Sequence, residues 1–370
     1  MIRSALALTA LTVSTGVAQA GGIDRSGTPI DIIFEEGNYA TLSYGYADPS
    51  LTGVDQEGAN VRNIAASFGL VGVALKLDIA ENVSLAFILD EPYGVDVEYG
   101  PESAVLGGTL ADAESYGITT LVRYQATDRI SVYGGPRFVR AKGQINLGGN
   151  AYFLDGYESN FASDTGTGYV IGAAYEIPDI AFRAALTYHS EIDLSFDTTE
   201  TFPVSLGPDI PGNTPLNTGA TETKLPQSIK LAVQSGIATD TLVFGSIRWV
   251  DHDVFTVIPP VFPENLASLD SSITYELGIG RRFSERFSAQ ATVIYEDVLA
   301  DNFVSPLTPT NGFTALSIGG QYQLTEALDI SGGIRYTWLG DATAEVSDSV
   351  VGEFRNNDVV SFGLRLGVRF

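Results

Sequence analysis

The last twelve residues, VVSFGLRLGVRF at positions 359–370, alternate between two kinds of side chain. Counting back from Phe370, every second residue is apolar, namely Val368, Leu366, Leu364, Phe362 and Val360. The residues between them are arginine, glycine or serine. This period of two is typical of a β-strand, because side chains on a helix share a face at intervals of three and four. The apolar face of the strand meets either the core of a soluble sandwich or the lipid around a membrane barrel. The C-terminal strand by itself does not distinguish these two folds.

The first twenty residues, MIRSALALTALTVSTGVAQA, have the composition of a secretory signal peptide. Arg3 is followed by an apolar stretch, and Ala18-Gln19-Ala20 forms a cleavage-like triplet before Gly21. An N-terminal anchor helix is the alternative, which the short length and the Thr and Ser content disfavour. The pattern predicts a signal peptide over residues 1–20 and an exported protein.

The composition excludes several classes of protein. The chain has no cysteine, so neither a disulfide framework nor a thiolate metal site is available. It has 20 Lys and Arg against 45 Asp and Glu, which argues against binding a nucleic acid through a basic surface. After Ala20 the apolar runs are too short for a membrane-spanning helix. No linker divides the rest of the chain, so we expect one architecture to organise it.

Short turns and longer connections alternate along the chain. Six tight turns are predicted at 79–83, 126–130, 176–180, 238–242, 283–287 and 324–328. They join twelve strands, and a first strand within 37–47 and the final strand make fourteen. Longer connections are predicted at 48–62, 98–112, 146–166, 199–224, 259–271, 299–312 and 346–357. Short turns at one end and long loops at the other are typical of an outer-membrane barrel whose short turns are periplasmic.

The fold predicted from these patterns is all-β, a 14-stranded antiparallel transmembrane β-barrel over residues 37–370, with a short N-terminal plug over residues 21–36. We expect the strand that ends at Phe370 to pair with the first strand, because in lipid a closed barrel leaves no unsatisfied edge. Aromatic side chains recur near strand ends, as expected of girdles at the two interfaces. These are Tyr46, Tyr124, Tyr188, Tyr336, Trp338 and Phe370.

Charged side chains are expected to face the lumen. In FRAALTYHSEIDLSF, residues 182–196, alternation places Ile192 and Leu194 outside with the other apolar residues, and Glu191 and Asp193 inside. The predicted lumen residues are Arg123, Arg183, His189, Glu191, Lys230, Glu276, Arg282, Glu296, Arg335 and Arg365.

The order of the hairpins resembles the FadL-type outer-membrane family, which transports long-chain fatty acids or other hydrophobic compounds. Four segments carry the resemblance, and together they extend it over most of the mature chain: ALTYHSEIDLSF (185–196), KLPQSIKLAV (224–233), IRWVDHDVF (247–255) and IYEDV (294–298). It implies a barrel plugged by an N-terminal hatch, a hydrophobic capture groove in the long loops, and a lateral gap where the third strand kinks. The chain departs from the family in having only residues 21–36 before the first strand, without an Asn-Pro-Ala element.

The lateral opening is predicted at Pro92, Tyr93 and Gly94, within VSLAFILDEPYGVDVEYG (83–100). Pro92 cannot donate a ladder hydrogen bond and Gly94 permits a bend. An ordinary strand end at the membrane surface is the alternative explanation of the same residues.

Apolar residues in two long connections are the candidate ligand-binding site. A hydrophobic ligand is one reason for apolar side chains on a polar outer surface, and loops packing on one another are the other. The candidates are Leu147, Tyr152, Phe153, Leu154, Tyr157, Phe161, Phe202, Val204, Leu206 and Ile210.

Catalysis, a metal and a cofactor are not expected. The histidines are His189 and His252, and His189 cannot form a dyad with Ser190 because neighbours on a strand face opposite sides. The sequence therefore favours passive uptake of long-chain fatty acids or other hydrophobic compounds across the bacterial outer membrane, with release through the lumen or sideways near the third strand. A general or ion-selective aqueous porin is the alternative, and a structural or adhesion barrel is a third possibility.

The expected partners follow from the location. They are a hydrophobic small molecule, the lipid and lipopolysaccharide of the outer membrane, and the barrel assembly machinery, which would recognise the strand ending in Phe370. We expect a monomer and no nucleic acid. The sequence does not distinguish aliphatic from aromatic ligands, since both make the same demand on an apolar groove.

Overall fold

The computed structural model describes residues 23–262, 264–267 and 269–370. The predicted signal peptide and the first two residues of the predicted plug lie outside these residues. No helix of the described segments has the length and apolar content needed to cross a membrane.

Fourteen strands form the barrel, and three of them are interrupted. Their bounds are β1 (Tyr39–Ser50), β2 (Phe68–Ala80), β3 (Val83–Asp90 and Gly94–Glu98), β4 (Leu110–Gln125), β5 (Ile130–Leu147), β6 (Tyr157–Ile177), β7 (Phe182–His189 and Ile192–Thr201), β8 (Pro215–Leu225 and Ser228–Ala238), β9 (Thr241–Val250), β10 (Ser272–Arg282), β11 (Phe287–Val298), β12 (Phe313–Gln323), β13 (Leu328–Leu339) and β14 (Asp358–Arg369).

Each strand pairs with its neighbours in antiparallel register, and the sheet closes on itself. β1 pairs with β14 from Tyr39 opposite Arg369 to Ser50 opposite Asp358. This closure confirms the predicted 14-stranded barrel. Closure satisfies the backbone groups that an open sheet would leave unpaired in lipid.

The two ends of the barrel differ, as predicted. All six tight turns lie where the sequence places them, between successive strands at one end, which we call the short-turn end. The opposite, long-loop end carries the connections 51–67, 99–109, 148–156, 202–214, 251–271, 299–312 and 340–357. Five short strands from these connections form a second small sheet, namely Gly53–Asp55, Asn60–Val61, Phe303–Val304, Ala342–Val346 and Ser349–Phe354.

The outward faces of the strands are apolar. On β14, Phe362, Leu364 and Leu366 are 42%, 55% and 39% exposed and do not pack under a second layer of the described chain. Tyr336 and Trp338 are also exposed and form an edge-to-face pair near the end of β13. Exposed apolar residues in a continuous band are typical of a surface that faces lipid.

Three predicted connections, 98–112, 146–166 and 199–224, are too long, because several strands continue beyond the apolar band. β4, β5 and β6 contain 16, 18 and 21 residues. The prediction that 146–166 is a connection is wrong for Leu147, Tyr157 and Phe161, which belong to β5 and β6. The outward residues in these extensions are polar, such as Asp112 and Arg140, and the sequence therefore resembled a loop there.

The inward and outward faces exchange partway along β7 and β8. In β7 the buried residues are odd-numbered up to His189 and even-numbered from Ile192 to Phe196, so one extra residue is accommodated at Ser190-Glu191. A shift of one residue moves every following side chain to the opposite face. The predictions for this stretch are therefore wrong: Ile192 and Leu194 face inward, whereas Asp193 is exposed.

Residues 23–36, which we call the N-terminal segment, lie inside the barrel. The 3₁₀ helix Ile30–Phe34 buries Ile30, Ile32, Ile33 and Phe34. They pack against inward residues of the strands, including Leu121 and Tyr133. Arg123 and Arg183 lie over the Phe34 ring, with their guanidinium carbons 4.8 and 4.4 Å from its centroid.

Candidate functional site

An apolar cavity of about 100 Å³, the chamber, lies inside the barrel towards the long-loop end. Strands β4 to β8 provide its wall, and loop residues after β9 and β11 cover it. Side chains that line it include Ala111, Ile145, Phe161, Leu194, Phe196, Leu225, Val257 and Leu307. Most of these residues belong to one buried hydrophobic cluster.

The face exchange in β7 and β8 makes this chamber apolar. In β7 it turns Leu194 and Phe196 inward, and in β8 the inward residue before Pro226-Gln227 is Leu225. Without the extra residue, Asp193 would face the chamber. The local irregularity therefore decides the polarity of the interior.

Below the chamber, towards the short-turn end, the interior is charged. Ile23 lines the chamber, and the next residue, Asp24, forms an ion pair with Arg248 at 2.5 Å. On β5, Arg137 lies closer to the short-turn end than Val139, which belongs to the buried hydrophobic cluster. The Arg137 side chain donates a hydrogen bond to Thr28 Oγ1 at 3.2 Å. These buried charges form the floor of the chamber.

The N-terminal segment supplies the acidic partner in this floor. Burial by itself would raise the pKa of Asp24, but the combined effect of Arg248, His252 and Arg137 outweighs it, so the pKa lies below its ordinary value. His252 Nε2 lies 3.9 Å from the same carboxylate. Burial lowers the pKa of His252, which favours its neutral form. The ion pair between Asp24 and Arg248 thus ties residues far apart in the chain.

The roof of the chamber is held by a buried carboxylate. Glu200, near the end of β7, is fully buried and accepts hydrogen bonds from Tyr157 Oη at 2.7 Å and from the backbone amides of Val261 and Phe262 at 3.0 and 2.9 Å. Phe262 stacks on Tyr157 with ring centroids 4.6 Å apart. Glu200 therefore attaches connection 251–271, which we call the roof loop, to the barrel rim.

The third strand is interrupted where the sequence predicted a kink. Residues Glu91, Pro92 and Tyr93 separate the two parts of β3. The last ladder pair between β2 and β3 is Val73 with Leu89. Beyond it, the described part of the chain shows no ladder between Phe68–Gly72 of β2 and Gly94–Glu98 of β3. We call this break in the ladder between β2 and β3 the wall opening.

The N-terminal segment is attached at the interruption. Arg25 N donates to Pro92 O at 2.8 Å, and Gly94 N donates to Ile23 O at 2.9 Å. Asp90, the residue before the interruption, accepts hydrogen bonds from Ser26 Oγ at 2.5 Å and Thr28 Oγ1 at 2.8 Å. The backbone groups that the kink leaves without a strand partner are thus satisfied from inside.

A second cavity of about 110 Å³, the wall cavity, lies inside the barrel beside the wall opening, where Phe68, Leu51 and Val359 are among its lining residues. Gly94 and Val95 line both this cavity and the chamber, so the two cavities share one partition. Asp24 and Arg25 also line the wall cavity. A third cavity, of about 460 Å³, lies at the short-turn end and is lined largely by polar side chains, including Lys76, Asp78, Arg123, Glu176 and Arg183.

The ten predicted ligand residues divide into two groups. Leu147, Tyr157, Phe161 and Phe202 are buried in the hydrophobic cluster of the chamber, and Tyr152 and Leu154 pack against it. Phe153, Val204 and Leu206 are exposed, and Ile210 is partly exposed. Of the ten residues, Phe161 lines the chamber itself.

Nine of the ten predicted lumen residues face the interior, and Glu191 does not. Glu191 accepts a hydrogen bond from Lys224 at 3.1 Å on the outer side, where Lys224 is also 3.7 Å from the exposed Asp193. The cause is the extra residue at Ser190-Glu191 described above. The inward residues are Arg123, Arg183, His189, Lys230, Glu276, Arg282, Glu296, Arg335 and Arg365.

Sequence reasoning missed most of the chamber. Ala111 and Ala113 alternate with Asp112 and Glu114, and this pattern indicates a strand whose outer face lies beyond the lipid. The predicted connection 98–112 ends within this alternation and includes Ala111 and Asp112, so the start of the strand is missed. Among the described residues, no cluster of three His, Asp or Glu side chains could hold a metal ion.

The sequence profile described as outer membrane protein transport protein (OMPP1/FadL/TodX) matches residues 35–367. No curated protein sequence matches the chain.

Several solved structures have a similar fold. A FadL homologue of Pseudomonas aeruginosa has a TM-score of 0.75 at 13% identity, covering 96% of each chain. The toluene transporter TodX of Pseudomonas putida has a TM-score of 0.67 at 11% identity, covering 96% of this chain and 97% of TodX. The CymD monoaromatic hydrocarbon channel has a TM-score of 0.62 at 14% identity, covering 91% of this chain and 89% of CymD. At these identities the similarity describes the fold.

Proposed function

The chain belongs to the OMPP1/FadL/TodX family of outer membrane transport proteins, and from that membership we propose that it imports small neutral hydrophobic compounds passively across the bacterial outer membrane. The apolar chamber is the observation that carries this proposal. Apolar side chains converge there above a floor of buried charges, and a hydrophobic ligand is stabilised by leaving water for such a site.

The size of the chamber favours a compact ligand. An apolar cavity of about 150 Å³ can hold one benzene molecule. The chamber, of about 100 Å³, is of the same order, and apolar groups dominate its lining. One aromatic ring or a short alkane suits this space better than a complete fatty-acid chain. The names of TodX and CymD, a toluene transporter and a monoaromatic hydrocarbon channel, agree with this ligand class.

Long-chain fatty acids are the second candidate. The wall cavity adjoins the chamber through Gly94 and Val95, so the two spaces together offer a longer apolar path. This candidate requires the partition between them to move.

We place release of the ligand at the wall opening. Movement along the barrel axis would carry an apolar molecule past Asp24, Arg248 and Arg137, which are buried charges that gain nothing from contact with it. The sideways path leads past Gly94 and Val95 into the wall cavity, whose lining is mostly apolar although Asp24, Arg25 and Asp96 belong to it. The N-terminal segment acts in this proposal as the plug that blocks the axial path.

Capture is assigned to the exposed apolar residues of the extracellular loops. Phe153 is fully exposed, and Val204 and Leu206 are about half exposed. They lie on connections next to the roof loop, since Gly156 approaches Pro203 and Tyr157 contacts both Phe202 and Phe262. A ligand held there would be close to the chamber. Movement then follows the concentration gradient.

The outer surface suggests further partners. The apolar band would contact lipid, and the polar strand extensions above it would contact lipopolysaccharide. The exposed Phe370 is available for recognition during assembly. We propose a monomer, because the ring of strands is complete within one chain.

The proposal is tested by uptake into bacterial cells that express the chain, compared with the same cells carrying an empty vector. Labelled toluene, oleate and glucose are supplied separately. We expect faster uptake of toluene, a smaller or no effect on oleate, and no effect on glucose. Faster uptake of oleate alone would mean that the ligand is a fatty acid and not a compact hydrocarbon. Faster uptake of glucose alone would establish the aqueous porin and overturn the proposal.

A further inference from the structure

The side chain of Arg25 crosses the wall opening. Its guanidinium carbon lies 4.3 Å from the ring centroid of Phe68, the first residue of β2. On the other side is Gly94, the first residue of the second part of β3, where an added Cβ would lie 2.5 Å from Arg25 Cζ and Nε. One side chain thus contacts both edges of the gap between β2 and β3.

The absence of a side chain at Gly94 is what makes room for the guanidinium. Gly94 does not need glycine for its backbone conformation, because it is not among the residues with positive φ. A methyl group at this position would overlap with Arg25 and displace it. The glycine therefore serves the close approach of Arg25.

Two forces hold the guanidinium across the opening. The Phe68 ring attracts it through a cation–π interaction. The carboxylates of Asp96 and Glu91, on the same strand as Gly94, attract its positive charge and oppose the lowering of the Arg25 pKa by burial. The backbone of Arg25 is fixed independently by its hydrogen bond to Pro92 O.

Arg25 also lies where the wall cavity meets the wall opening. The preceding residues of the N-terminal segment, Ile23 and Asp24, line the chamber and the wall cavity respectively. Arg25 lines the wall cavity, where Gly94 and Val95 form the partition from the chamber. A molecule that leaves the chamber sideways therefore meets this side chain.

We propose that Arg25 is the gate residue of the wall opening and sets the largest ligand that can leave through it. This inference rests on the proposed function and adds its size limit. A single planar guanidinium can tilt from the Phe68 ring to let a compact ring pass. A larger polycyclic molecule would require Arg25 to leave Phe68 and its acidic neighbours together.

The test compares uptake of toluene and naphthalene, which is one fused ring larger, by cells expressing the wild-type chain, R25A, R25K and G94A. The control variant is R62A, which removes an exposed arginine of connection 51–67. Folding and assembly are checked for each variant by the mobility shift of the folded barrel on heating before electrophoresis. We expect R25A to raise uptake of naphthalene several-fold and uptake of toluene less, so that the ratio of naphthalene to toluene increases.

The other variants separate a gate from a structural role. G94A should change the ratio in the same direction as R25A, because it displaces the guanidinium without removing it. R25K keeps the charge but loses the planar stacking, and we expect an intermediate ratio. R62A should match the wild type. If R25A does not assemble, G94A and R25K carry the comparison.

The possible failures are distinguishable. If wild-type cells take up toluene faster than vector controls but the ratio is the same in R25A, G94A and R25K, the gate is wrong and the proposed function stands. A fall in uptake of both compounds by the same factor would also contradict the proposal that Arg25 is the gate residue. If the wild type does not exceed the vector control for toluene, the proposed function itself fails.

Discussion

Glu200 and Tyr157 are joined by a 2.7 Å hydrogen bond that connects β7 with β6 beneath the roof loop. The same carboxylate accepts two backbone amides of the roof loop, and Phe262 of this loop stacks on the Tyr157 ring. The Glu200 carboxylate thus helps to hold the roof over the chamber, together with the apolar packing of Val257, Leu266 and Ala267. Access to the chamber from the extracellular side should respond when this contact is removed.

Replacing Glu200 by alanine should release the roof loop. Each buried donor that loses its acceptor costs roughly 1–3 kcal/mol, and E200A removes the acceptor of three donors. We expect protease added outside intact cells to cut connection 251–271 several-fold faster than in the wild type. E200Q keeps the volume and one acceptor oxygen, so its rate should be intermediate. Equal rates in all three proteins would show that the loop is held by other contacts.

Replacing Asp24 by asparagine should loosen the N-terminal segment, because Arg248 would lose its anionic partner inside the barrel. Removing one member of a buried ion pair typically costs about 3–5 kcal/mol. The chain has no cysteine, so S26C provides a single labelling site next to this contact. We expect a maleimide to label S26C several-fold faster with D24N than without it. Unchanged labelling would mean that the remaining contacts, including the backbone hydrogen bonds from Arg25 to Pro92 and from Gly94 to Ile23, are enough to hold the segment.

Filling the chamber should reduce uptake of its ligand. Ala111 is buried and faces the chamber, so A111F would occupy much of a space of about 100 Å³. Such overpacking typically costs about 1–3 kcal/mol, which is small enough for the barrel to assemble. A162F makes the same substitution at an exposed residue of β6 and serves as the control. We expect A111F to abolish most of the toluene uptake above the vector control and A162F to preserve it. Uptake by A111F at the wild-type rate would exclude the chamber from the path.

A charge on the lipid-facing side of β14 should destabilise the barrel. Leu364 is 55% exposed and pairs with Tyr44 across the closing seam. Arginine on the lipid face near the middle of the bilayer costs about 2–4 kcal/mol. L364R should therefore lower the midpoint of urea unfolding in lipid vesicles. V54K, at an exposed residue of the small extracellular sheet, should leave it unchanged. Equal midpoints for L364R and the wild type would contradict a lipid-facing position.

The alternation of apolar and polar residues correctly predicted which side chains face outward wherever a strand has no irregularity. Phe362, Leu364 and Leu366 face outward as their spacing predicts, and Arg123 and Arg335 face inward for the same reason. The kink at Pro92 follows from the missing amide of proline. The prediction failed at Glu191, because alternation carries no sign of where an extra residue will be accommodated.

By itself, the sequence determined the number of strands, the two unequal ends, the closure of β14 on β1 and the interruption of β3, because turns and period-two patterns are properties of neighbouring residues. The tertiary structure alone decided where the chamber lies and what holds it. Asp24 meets Arg248 although they are 224 residues apart, and Glu200 meets Phe262 across 62 residues. Such contacts depend on strand register and on the face exchange in β7 and β8, and a local pattern does not specify either.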